Sequence, residues 1–214
     1  MARRTKQDAQ ATREALLDAA EQVFEQRGVS RTSLGHIAEA AGLTRGAVYW
    51  HFKDKADLFN AMLERVTLPL EADMADVVAA LADASADATT LMRRYFAQGL
   101  ARIDQHAQTR RVLAIATHMV EHTEEMDAVR ARHMASHAAK EQALASLLAH
   151  AAAQRGAQLP APVETLARGL FALVYGLVNA WLLRPDFDLA GEGAAAIDAY
   201  LRGIGLPPLP IDQG

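Results

Sequence analysis

Forty-six of the 214 residues are Ala, and a chain this rich in Ala, interspersed with Leu, Glu, Gln and Arg, is biased toward helix almost everywhere. The period-two alternation of Val, Ile and Tyr that a half-buried strand needs is missing. The expectation is therefore an all-α fold. With 51% hydrophobic and 22% charged residues, the chain can bury a real core and is not of disordered composition. It contains no Cys, which excludes disulfides, thiolate catalysis, Cys-held zinc and Cys-ligated iron–sulfur clusters, and fits a reducing cytoplasm. Residues 7–17 are polar and charged where the apolar core of an export signal would sit. The longest uncharged apolar stretch, Gly169 to Leu183, has fifteen residues. It falls short of the roughly 20 that span a bilayer, so it reads as a helix buried on most sides, and no membrane partner is expected.

Stop and start signals divide the chain. Ala15, Leu16, Ala19, Ala20, Val23 and Phe24 make one stripe of a first helix over 12–27, closed by Gly28. Ser33 offers an N-cap for a short helix 34–41, and Thr44 one for a second, 45–51, with Gly42 between them. Asp54 opens a longer helix from Lys55 into the seventies, which Pro69 should kink or split. Further helices are expected near 88–105, 108–121, 123–155, 162–184 and 189–203, with a loose Pro-containing tail beyond. In domains, this reads as a helix-turn-helix unit at 1–55, a larger helical unit at 56–205 and a tail at 206–214. Residues 1–55 hold nine Lys or Arg and seven Asp or Glu, net +2; residues 56–214 hold thirteen and nineteen, net −6. The N-terminal part is the one suited to a polyanion. Arg3, Arg4 and Lys6 are expected as a loose solvated terminus rather than an arm in a groove.

The stretch from Thr32 to Lys55 carries the chemistry. Leu34, Ile37, Ala38 and Ala41 form the inner face of its first helix, Val48 and Phe52 that of the second, and small Ala38, Ala41 and Gly42 allow a steep, close crossing. The outward face then presents Thr44, Arg45, Gly46, Tyr49, Trp50 and His51. Exposed neighbouring rings are costly on an idle surface, whereas against DNA they pack on sugar and phosphate. Ser33, Lys53 and Lys55 sit where side chains and free amides favour phosphate oxygens. Arg45 is placed to read guanine in the major groove.

This segment, and above all Thr-Arg-Gly-Ala-Val-Tyr-Trp-His-Phe-Lys-Asp-Lys, resembles the DNA-binding domain of the TetR family of bacterial repressors, in the branch of AcrR and TtgR type that controls multidrug efflux pumps. The resemblance is strong over about 55 N-terminal residues. A weaker likeness continues in Arg110-Arg111-Val112-Leu113, in His118 to Met126 and from Gly176 to Leu189. It implies that Thr44, Arg45 and Gly46 face base edges or the adjacent backbone, that Ser33, Tyr49, His51 and Lys55 hold phosphates, and that Trp50 joins them. It also implies a homodimer bound to a double-stranded operator and released by a small lipophilic effector, with no cofactor and no catalysis. A regulator of some operon other than an efflux operon is the alternative.

In the C-terminal part, Leu166, Leu170, Val174, Leu177, Val178 and Trp181 cover more than one helix face, and Ile197 and Leu201 extend the pattern on the last helix. A two-fold four-helix interface between copies would cover them. Polar groups among apolar ones in the middle helices, Tyr95, Gly99, Arg111, His118, Met119, His122 and Met126, are candidates for an effector pocket with adaptable Met walls. The resemblance favours His118 and Met119. One rival chemistry is legible: His118-Met-Val-Glu121-His122 has the H-x-x-E-H spacing of zinc hydrolases, and His133 and His137 repeat the i,i+4 geometry. No spacing supplies a third ligand.

Overall fold

The structure, a computed structural model, describes residues 2–83, 85–120 and 123–207. Among these residues run nine α-helices and no strand: α1 (Ala2–Arg27), α2 (Leu34–Ala40), α3 (Arg45–His51), α4 (Lys55–Ala79), α5 (Ala88–Gln105), α6 (Ala107–His118), α7 (Asp127–Arg155), α8 (Val163–Leu183) and α9 (Leu189–Gly203). Three expectations change. The first helix starts at Ala2 rather than residue 12, because nothing between Ala2 and Thr12 breaks a helix and most of those residues favour one. Pro69 lies inside α4 without ending it. The segment before α7 is a 3-10 turn, Glu124–Met126, and not part of the helix. The tail from 208 onward lies outside the described residues.

The chain packs as two compact units, residues 1–67 with 108–133, and residues 68–107 with 134–214. The division of α4 falls at 67/68, beside Pro69, whose missing N–H removes one helical hydrogen bond. The unit holding the helix pair is thus larger than the segment 1–55, because Leu58, Phe59, Met62 and Val66 of α4 and Val112 and Ile115 of α6 bury into the same core as α1. Phe24 of α1 meets Phe59 of α4 at a ring separation of 5.7 Å. Each such fully buried ring contributes on the order of 2–3 kcal/mol of transfer free energy.

One ion network braces α1 from the outside of that core. Arg65 lies 2.8 Å from Asp18 and 3.4 Å from Glu14. Glu21 is buried, accepts from Gln108 at 2.8 Å and has Arg65 and Arg111 beside it. Burial pushes the Glu21 carboxyl up, and the Gln108 hydrogen bond and the two guanidinium groups only partly oppose it.

In the second unit α9 packs against α5 and α8. Gly193 permits the α5 approach: a Cβ there would stand 2.4 Å from Leu100 Cδ1. Tyr200 donates to the Leu166 carbonyl at 2.8 Å and ties α9 to α8. The start of α5 is capped by Asp87, whose carboxylate accepts from Thr90 N at 2.7 Å and pairs with Arg155 at 3.1 Å. Burial alone would raise this carboxyl, but hydrogen bonds from Thr89, Thr90 and Arg155 outweigh it and bring it down to about 2. A depressed folded-state pKa contributes stability above the unfolded value that is lost as pH falls through the folded one. Asp87→Ala should therefore cost about 1–2 kcal/mol at neutral pH, with the gap to wild type closing as the pH is lowered from about 4 to 2, as read by urea denaturation.

Candidate functional site

The two short helices, α2 and α3, are held by side-chain caps and by the core beneath them. Ser33 Oγ accepts from His36 N at 3.3 Å while His36 Nδ1 accepts from Ser33 N, a reciprocal capping box. Thr44 Oγ1 accepts from Ala47 N at 3.2 Å and starts α3. Between them Gly42 has φ +67, a left-handed turn that residues with a Cβ adopt at a cost. Leu34, Ile37, Ala38, Val48 and Phe52 are buried, so the inner faces read from sequence are the observed ones.

What remains outside is the expected outer face of α3. Thr44, Arg45 and Gly46 are exposed, as is Ser33. Tyr49 is 53% exposed, and Trp50, at 74%, is the most exposed large apolar side chain among the described residues. The Arg45 side chain runs close to Gly35, where a Cβ would stand 3.7 Å from its Nε. His51 is half-buried, with its ring 4.6 Å from that of Trp50 in edge geometry. Burial, and then the nearby Arg13 cation, hold its imidazole below the usual range. Arg13 itself lies over the Phe52 ring at 5.2 Å.

Lys55 is placed otherwise than expected. It is 5% exposed, its ammonium donates to the carbonyls of Val29 and Thr32 at 3.1 Å, and it pairs with Glu125 at 2.8 Å. With its donors engaged internally, it anchors the α1–α2 turn instead of offering charge to a phosphate. Lys53 stays exposed at the same corner.

The effector candidates are divided between the units. Tyr95 and Gly99 belong to α5 in the second unit, where burial, then Asp73 and Glu71, push the Tyr95 hydroxyl up to about 12. Arg111 is corrected: its guanidinium reaches Glu25 at 3.2 Å and Glu21 at 3.7 Å, which makes it part of the brace on α1. Met126 is corrected too, being 4% exposed within the first core. His118 is exposed, Met119 packs on the first core and its carbonyl accepts from Val29 N at 3.3 Å, and His122 lies outside the described residues. Sequence reasoning missed a ring group in the second unit: His137 stands 4.8 Å from Phe171 and 5.0 Å from Tyr175. A surface groove of about 550 Å³ between α7 and α8, lined by Ala145, Ala149, Val163 and Arg168 among others, contains none of the expected contacts. No group of three His, Asp or Glu among the described residues comes together as a metal site.

Of the interface candidates, Leu166, Leu170, Trp181, Ile197 and Leu201 are each buried within one copy of the chain. They form its own core and are not available to a partner. Trp181, for example, donates to the Phe187 carbonyl at 3.0 Å. Val174, Leu177 and Val178 remain half-buried and Leu183 is 70% exposed. As a complete helix of 21 residues, α8 is long and apolar enough to cross a membrane, with 22% of its apolar window buried, so the fifteen-residue measure understated it.

Comparison with known proteins agrees with this geometry. Residues 16–62 match the model of bacterial regulatory proteins of the tetR family, and residues 87–205 that of the C-terminal region of MAATS-type transcriptional repressors. The chain is 37% identical to the regulator TtgR of Pseudomonas putida, over 97% of this chain and 98% of that one. It is 35% identical to AcrR of Shigella flexneri, over 94% of each. Among solved structures, NalD, the secondary repressor of the MexAB-OprM multidrug efflux pump in Pseudomonas aeruginosa, superimposes with a TM-score of 0.82 at 35% identity, covering 92% of this chain and 98% of that one.

Removing Lys55 tests its structural placement. Lys55→Ala leaves buried carbonyls and Glu125 without their cation and should lower stability by about 1–3 kcal/mol. Thermal unfolding reads that loss, while the dependence of DNA affinity on salt stays that of the wild type.

Proposed function

The chain belongs to the TetR family of bacterial regulatory proteins, a family of DNA-binding regulators rather than enzymes, and from that premise we propose that it is a cytoplasmic, homodimeric repressor of a multidrug efflux operon. The observation that carries this reading is the outer face of α3. A helix of seven residues presents Arg45, Tyr49 and Trp50 to solvent over a capped and buried frame. Thr44, Arg45 and Gly46 address base edges; Ser33, Tyr49, Trp50 and His51 address the backbone, with Lys53 in the place expected of Lys55. Phosphate contacts set register and base contacts set sequence.

Two recognition helices are needed to read half-sites about 34 Å apart. The half-buried Val174, Leu177 and Val178 with exposed Leu183 favour a second copy on α8, because an apolar helix left mostly uncovered is costly in water. Leu177→Glu should then give a monomer by light scattering and abolish operator binding while the helical content stays unchanged.

The efflux assignment draws on the relatives, among them NalD and a structure described as the SmeT–triclosan complex, with a TM-score of 0.77 at 29% identity over 95% of this chain. Candidate contacts for a lipophilic effector in the second unit are Tyr95 and Gly99 of α5 and, separately, the His137, Phe171 and Tyr175 ring group. α4 runs through both units and offers the path by which the effector weakens DNA binding. An effector that prefers the DNA-free state a hundredfold shifts the equilibrium by about 2.7 kcal/mol. A fragment of the intergenic DNA beside the gene should be bound as a dyad and released by triclosan or another lipophilic drug, measured by footprinting. Arg45→Ala should cost about 1–3 kcal/mol on that fragment and relax the base preference at one position per half-site. Binding indifferent to sequence in both proteins would overturn the reading.

A further inference from the structure

Resting on this DNA-binding reading, we infer that the ion brace on α1 is a half-closed latch through which α4 and α6 report to the recognition helix. Four carboxylates, Glu14, Asp18, Glu21 and Glu25, recur at intervals of four, three and four residues and so line one face of α1. Two guanidinium groups answer them. Arg65 of α4 reaches Glu14, Asp18 and Glu21, and Arg111 of α6 reaches Glu21 and Glu25. Glu21, 2% exposed, pairs with both and accepts from Gln108 of α6 at 2.8 Å. One buried carboxylate therefore joins three helices.

The latch is not fully made. Arg65 Nη1 is buried without a hydrogen bond, 3.5 Å from Glu21 Oε1, and Arg111 Nη1 stands 3.7 Å from Oε2. Buried donors are nearly always bonded, so this orphan marks an arrangement with a better-bonded neighbour close by. A shift of about 1 Å in α4 or in α6 would bring that helix's guanidinium to about 2.8 Å, the length of a charge-assisted hydrogen bond. Glu21 can thus tighten onto either helix, and displacements of this size are enough to select between two packed arrangements.

The position of the brace in the chain fits a relay. The chain passes between its two units at 67/68, 107/108 and 133/134. Arg65 stands two residues before the first passage, and Gln108 and Arg111 are the first and fourth residues after the second. At the third, Arg132 reaches Glu64 of α4 at 3.0 Å. The polar ties of the first unit thus gather where the chain enters and leaves it. On the adjoining face of α1, Leu17, Ala20 and Phe24 share the buried core with Ile37 of α2 and Val48 of α3. Close-packed interiors transmit strain, so a displacement taken up at Glu21 reaches α3 through α1.

The test is amide hydrogen exchange of the full chain with and without operator DNA, because coupling is reciprocal and whatever α6 passes to α3 must return from α3 to α6. In the wild type the operator should slow exchange in α2 and α3 and also, about fivefold or more, in the first two turns of α6. In Glu21→Gln the slowing should remain in α2 and α3 and vanish from α6. Arg111→Ala should lose it likewise, whereas Arg111→Lys, which keeps the charge, should retain it; a merely structural loss would not follow the charge. Where circular dichroism shows that Glu21→Gln does not fold, the two Arg111 variants carry the comparison. Equal slowing at α6 in the wild type, Glu21→Gln and Arg111→Ala overturns the latch, as does a wild-type operator complex with no slowing there. In either case the DNA-binding reading stands; a wild type that binds no dyad removes both.

Discussion

Helices of seven residues do not persist in water on their own, because nucleating a turn costs more than so few hydrogen bonds return. Both α2 and α3 are this short, and the face proposed to meet DNA stands on them. Their stability is supplied from outside, by Leu34, Ile37, Val48 and Phe52 buried against α1 and α4, and by the Ser33 and Thr44 caps. Lys55 completes the frame by drawing the carbonyls of Val29 and Thr32 and the Glu125 carboxylate onto one ammonium. Removing any one partner of such a buried cation leaves a charge poorly compensated, so the turn is tied to all of them.

The same economy of means governs the charges. The acidic stripe of α1, Glu14, Asp18, Glu21 and Glu25, would repel a polyanion if left bare. It faces Arg65 and Arg111 instead. Glu21 is buried in that brace and its carboxyl is raised by the burial, against the Gln108 hydrogen bond and the two guanidinium groups. The result is an α1 whose C-terminal half is bonded to α4 and α6.

Much of this was legible beforehand because it depends on local rules. The bounds of α3 follow from Thr44 and the inward spacing of Val48 and Phe52, and the cap of α2 from Ser33. The exposure of Tyr49 and Trp50 follows from helical phase once the inner face is known. The errors cluster where a side chain's partner is distant in sequence. Lys55 reads as a phosphate ligand until Val29, Thr32 and Glu125 are seen around it. Arg111 and Met126 read as pocket residues until α1 and the first core claim them. Leu166, Leu170 and Trp181 read as an interface because α8 is apolar on several faces, and periodicity does not say which face its own chain covers.

The sequence by itself determined the helical class, the helix-turn-helix and the family, since propensity, caps and phase act over a few residues and survive without knowledge of the fold. Only the tertiary structure decided which cations remain available. Whether a Lys or Arg meets DNA or meets a carboxylate depends on what packs within a few ångströms of it, and that neighbour can lie seventy residues away, as Glu125 does from Lys55.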